Sequence, residues 1–78
     1  MNIYGYTFSV QCPNDSKTIE YTILIKHDEM IMAETIVAAC AFDKPMYQEQ
    51  VADELRRILP GEQSISADHC GVEVITER

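Results

Sequence analysis

His69 and Cys70 stand side by side, and an imidazole next to a thiol is the pairing that nucleophilic catalysis and zinc coordination both use. Neighbours on an extended chain point to opposite faces, so the two could serve each other only across a turn. Zinc needs two further ligands, and no C-x-x-C or H-x-x-x-H spacing supplies them. The pair therefore reads as a loop histidine and a small apolar cysteine. Cys12, Cys40 and Cys70 are an odd set at wide spacings, which suits reduced thiols in a cytosol better than a disulfide framework. Cys40 lies in an apolar run and reads as core. No G-x-x-x-x-G-K loop, G-x-S-x-G elbow or paired-carboxylate spacing occurs. The expectation is a protein without catalytic residue, metal or cofactor.

The carboxylates are more informative. Thirteen acidic against six basic residues leave a net charge of −7. Phosphate backbones and anionic membranes repel such a surface, which excludes direct nucleic-acid binding and favours a basic protein as partner. Tyr4, Tyr6, Phe8 and Tyr21 could stack on bases, but single-strand binders flank such aromatics with cations, and here Lys17 and Lys26 stand alone. These rings are needed as core.

The elements that must position these groups follow from periodicity. Tyr4, Tyr6, Phe8, Val10 and Cys12 alternate with Gly5, Thr7, Ser9 and Gln11, as a half-buried strand does. Thr18 to His27 repeats the period with Ile19, Tyr21, Ile23 and Ile25, although Leu24 falls on the polar side. Pro13-Asn14-Asp15-Ser16 between them is turn chemistry. Placing both apolar sets on one face pairs Val10 with Ile19, Phe8 with Tyr21, Tyr6 with Ile23 and Tyr4 with Ile25. His27 then lies beside Asn2, roughly 30 Å from Cys12 at about 3.3 Å per residue, so these two cannot share a site.

Asp28 can cap a helix to about Ala41, apolar nearly all round, whose surplus face either the next helix or a partner must cover. A second helix is expected from Asp43 to Leu59, with Asp43 as cap, Pro45 in its first turn and an Asp53–Arg57 pair on its outer side. Its inner face reads Tyr47, Val51, Leu55, Ile58 and Leu59, with Ala52 at the margin, and Pro60-Gly61 stops it. Ser64 to Ala67 and Val72 to Thr76 are extended, either as a short hairpin or, preferred, as one strand bulged at Gly71. The whole is a single α+β domain, residues 1–78: a small antiparallel β-β-α-α-β sheet, the last strand single or split, with two helices on one face.

Asp43-Lys44-Pro45 ahead of the second helix and His69-Cys70-Gly71-Val72-Glu73 in the closing strand resemble the tunnelling-fold enzymes of pterin and queuosine metabolism. That resemblance covers the second half of the chain and implies a ring-shaped oligomer in which Glu73 or Glu77 grips a pterin or purine-like ring. The histidine-rich metal sites of those enzymes have no counterpart here.

The leading expectation is a small, acidic, non-enzymatic binding protein that occupies a basic, nucleic-acid-holding surface on another protein. Small accessory proteins of phages and mobile elements, inhibitors of nucleases or CRISPR complexes among them, share this size, acidity and α+β character, an analogy of class. Glu20, Asp53, Glu54 and Glu73 would meet the cations, and Met30, Ile31 and Met32 would supply an apolar anchor. The alternatives are the tunnelling-type enzyme subunit and a structural homodimer joined through the apolar helix. No apolar run long enough to span a membrane occurs and Met1 to Gly5 lacks a signal-peptide pattern, so a cytoplasmic location is expected.

Overall fold

Strict alternation in the first third of the chain produces two long strands, β1 (Asn2–Gln11) and β2 (Thr18–His27). They pair antiparallel as Tyr4–Ile25, Tyr6–Ile23, Phe8–Tyr21 and Val10–Ile19, the register that unites the apolar sets. Asn2 pairs with His27, which leaves Cys12 and His27 at opposite ends of the hairpin. The computed structural model describes residues 1–78 and continues with α1 (Ala33–Ala39), α2 (Gln48–Ile58), β3 (Glu62–His69) and β4 (Val72–Glu77). All four strands form one antiparallel sheet in the order β1-β2-β3-β4, an α+β fold. Residues 70 and 71 both have positive φ and close a two-residue hairpin between β3 and β4. The last segment is thus two strands rather than the preferred single one.

One sheet face carries the core. Phe8, Val10, Tyr21, Ile23, Ile25, Ile65 and Ala67 pack against Val51, Ala52, Leu55 and Leu59 of the α2 segment, with Ile36 and Cys40 from the α1 segment. The Phe8 ring is close to those of Tyr6, Tyr21 and Phe42, with centroids 6.3, 5.6 and 6.0 Å away. Leu24 faces the other side of the sheet and lies over Gly5, which leaves room for it: a Cβ there would stand 3.4 Å from the leucine methyl.

Both helices are shorter than the sequence predicts, for the same physical reason. The Ile31 amide, which should lie in the first turn after Asp28, donates instead to the Tyr4 hydroxyl at 2.9 Å. Ile31 is thereby buried, Met32 is extended, and helix begins only at Ala33. The Met46 amide likewise donates to the Gln11 carbonyl at 3.1 Å, and the chain from Phe42 to Met46 packs on the core without helix. Asp43 therefore caps nothing, and α2 starts after Tyr47, whose amide donates to the Gln50 side chain at 2.9 Å. The helix's buried positions are Gln48, Val51, Ala52 and Leu55, leaving Tyr47 and Ile58 exposed.

Gly61 turns the chain from α2 into β3 at φ +93°, where a Cβ would come within 2.6 Å of the Lys26 carbonyl oxygen. A Cβ on Gly71, at φ +84°, would meet nothing within 4 Å. Gly61→Ala should therefore cost about 1–3 kcal/mol. Gly71→Ala should cost clearly less. Urea unfolding of both variants checks this, the expected signature being a lower midpoint at unchanged slope.

Candidate functional site

The helices cover one face of the sheet and leave the other open. Along that open face the pairing Thr22–Ser66 and Asp68–Glu73 runs across β2, β3 and β4, and continuing the β2–β3 register by two residues sets Glu20 beside Asp68. Glu20, Asp68 and Glu73 are all exposed and share one shallow depression with Thr22 and Ser66. Like charges directly opposite each other on a sheet are destabilising, so this row adds nothing to the fold's stability. None of the three takes part in an ion pair. Around them the face carries small hydroxyl side chains, Thr7, Ser9, Thr22, Ser64 and Ser66, with the exposed Ile75 opposite Ser66, and the Thr7 and Thr22 hydroxyls lie 3.3 Å apart.

The opposite end of the molecule is more basic. Lys26, His27, Arg56 and Arg78 line a second depression together with Asp28 and Glu62. Glu20 and Lys26 are six steps apart along β2, about 20 Å at about 3.3 Å per residue. Charge is thus graded along the strands.

The remaining acidic candidates are differently placed. Asp53 accepts a hydrogen bond from Arg78 Nε at 2.8 Å, and Glu49 accepts one from Arg78 Nη2 at 2.9 Å, tying the end of the sheet to α2. These carboxylates hold the Arg78 guanidinium charged by raising its pKa. Glu54 pairs with Arg57, which lowers the carboxyl's pKa. The expected Asp53–Arg57 pair is replaced by these two, and both candidates on α2 carry a cation of their own. Met30 and Met32 stay exposed before α1 while Ile31, between them, points into the core. Glu20 and Glu73 are brought together, with Asp68 completing the row. Met30 and Met32 form a separate apolar shoulder.

His69 has a structural role that its neighbour Cys70 does not share. Its Nε2 lies 2.7 Å from Oε1 of the buried Gln48, whose Nε2 donates to the Val74 carbonyl at 3.0 Å and the Thr76 hydroxyl at 3.1 Å. No buried side-chain nitrogen or oxygen lacks a partner. Cys70 is exposed on the turn, Cys12 is half-buried, and burial pushes the Cys40 thiol up from 9.0 to about 11. No group of acidic, histidine and cysteine side chains has the arrangement of a metal site, and no helix is long and apolar enough to cross a membrane. Neither a family model, nor a curated protein, nor a solved structure matches the chain.

The thiols give a direct check on this geometry. In the native protein an aromatic disulfide reagent should label Cys70 first, Cys12 more slowly and Cys40 only on unfolding. Because the folded state holds the Cys40 proton more tightly, its contribution to stability is complete below pH 9.0 and is lost as pH rises toward about 11. Urea midpoints measured over that range should fall, and Cys40→Ala should flatten the fall.

Proposed function

We propose that the chain is a binding protein that acts through its open sheet face, presenting Glu20, Asp68 and Glu73 to a basic surface of another protein. The observation that carries this reading is the unpaired carboxylate row. It is set on rigid strands, flanked by small hydroxyl side chains that let a partner approach closely, and free of any cation from this chain. Carboxylates spaced along a sheet resemble the phosphates of a nucleic acid in charge, so the favoured partner is a protein whose cationic surface holds nucleic acid. Inhibition by occupation of that surface is the corresponding mechanism. Electrostatic steering speeds encounter with such a surface.

The test is capture from the native lysate at low salt, elution by a salt step, and competition by DNA or RNA. A basic, nucleic-acid-binding protein displaced by nucleic acid is the expected outcome. Replacing Glu20, Asp68 and Glu73 by Gln, Asn and Gln should lower the association rate with the captured protein about tenfold or more at low salt and leave it nearly salt-independent. An unchanged rate in that triple variant contradicts the reading.

A second reading, a tunnelling-type enzyme subunit, is favoured by the β-β-α-α-β-β order with both helices on one sheet face. On it, Glu73 or Glu77 of the open face would grip a pterin or purine ring within a larger assembly. Calorimetric titration with pterin and guanine separates the two: saturable binding lost in Glu73→Gln or Glu77→Gln supports the enzyme, and no heat removes it.

A further inference from the structure

β1 is an edge strand of ten residues, and one side of its backbone has almost no partner. The Cys12 amide donates to the Lys17 carbonyl at 2.8 Å, which fixes the alternation: even-numbered residues of β1 bond β2, and odd-numbered ones point outward. Of the outward groups the Gln11 carbonyl is taken by the Met46 amide. The N–H and C=O groups of Ile3, Gly5, Thr7 and Ser9 remain as a free ladder that only another strand can complete.

Folded proteins commonly blunt such edges with charge, proline or short length. The opposite edge is blunted: β4 has six residues, and two of the three whose backbone points outward are Glu73 and Glu77. β1 is not. No charged side chain precedes Asp15, whereas each of the other strands carries at least one carboxylate. In a chain of net charge −7, β1 is the one strand against which a second copy can lie without carboxylates at the seam.

From this we infer that β1 pairs antiparallel with β1 of a second copy about a two-fold axis at Tyr6, joining two four-stranded sheets into one. The register follows from the free groups. Pairing Ile3 with Ser9 and Gly5 with Thr7 of the other copy uses all four outward residues on each chain, whereas a shift of one step in either direction leaves one unused or needs the occupied Gln11 carbonyl. Identical antiparallel strands satisfy a two-fold axis, so the contact closes at two copies. In this register Tyr6 meets Tyr6 and Tyr4 meets Phe8 across the seam, on the helix side of the sheet. The half-buried Tyr4 and Tyr6 rings gain cover there, extending the Tyr6–Phe8–Tyr21 stack. The inference rests on β1 alone and is independent of the acidic row.

Light scattering across the micromolar range, with three variants, tests it. The native protein should show twice the chain mass. Thr7→Pro removes an outward N–H without touching the β1–β2 ladder and should halve that mass while far-ultraviolet circular dichroism stays native. Ile75→Pro, the equivalent change on the β4 edge, should leave the dimer intact. Tyr6→Cys in a Cys70→Ser background places two thiols on a non-hydrogen-bonded pair with Cα atoms about 4.5 Å apart, within disulfide reach. With oxidised glutathione most of that variant should run as a covalent dimer, and the Cys70→Ser parent should not. A native mass of one chain at every concentration overturns the inference. So does dissociation by Ile75→Pro, which would indicate head-to-tail β1–β4 pairing, or an uncrosslinked Tyr6→Cys dimer, whatever Thr7→Pro does to the fold.

Discussion

The pairing of β1 with β2 in a single register is the constraint from which the rest follows. Side chains alternate with period two, so a slip of one residue would turn Tyr4, Tyr6, Phe8 and Val10 to one face and Ile19, Tyr21, Ile23 and Ile25 to the other. In the observed register all eight lie together and create an apolar surface that water disfavours. The two helical segments between β2 and β3 exist to cover it. Both helical segments are used on that side, and the other face of the sheet is left open. An open face and a neutral edge are thus direct consequences of how the core is built.

That register and its turn were legible because alternation, β-branched residues and Pro-Asn-Asp-Ser all point the same way. The inner positions Val51, Leu55 and Leu59 were legible from the helical period. The helix starts were not. Asp28 and Asp43 are good caps, but the Tyr4 hydroxyl and the Gln11 carbonyl take the Ile31 and Met46 amides, and those contacts join residues far apart in sequence. Local propensity has no knowledge of them. The β3–β4 turn was hidden because Cys70 adopts φ +54°, a conformation in which glycine or asparagine is the usual signal.

The polar interior was hidden as well. Gln48 and Gln63 are buried by finding partners: Gln48 bonds β3, β4 and His69, and Gln63 donates to the Leu59 carbonyl at the end of α2 at 2.7 Å. Nothing in a glutamine's neighbours along the chain announces this, and it turns His69 from a candidate for chemistry into a support for the helix–sheet contact. Among the candidate binding residues, Glu20 and Glu73 were legible as acidic strand positions. Their common row with Asp68 needed the β3–β4 hairpin, and the pairing of Asp53 and Glu54 with arginines needed the position of Arg78. The structure therefore separates carboxylates that hold the fold together from carboxylates that have no partner within it.

On the proposed function, the unpaired carboxylates on the open sheet face, and not the helix side, meet the partner. Amide and methyl chemical shifts of the isotope-labelled chain, recorded free and saturated with the captured protein, test it most directly. Perturbations concentrated at Ser9, Glu20, Thr22, Ser66, Asp68 and Glu73 are expected. Perturbations centred instead on α1 and the outer side of α2, around Val37, Arg56 and Arg57, with the open face unchanged, would contradict it.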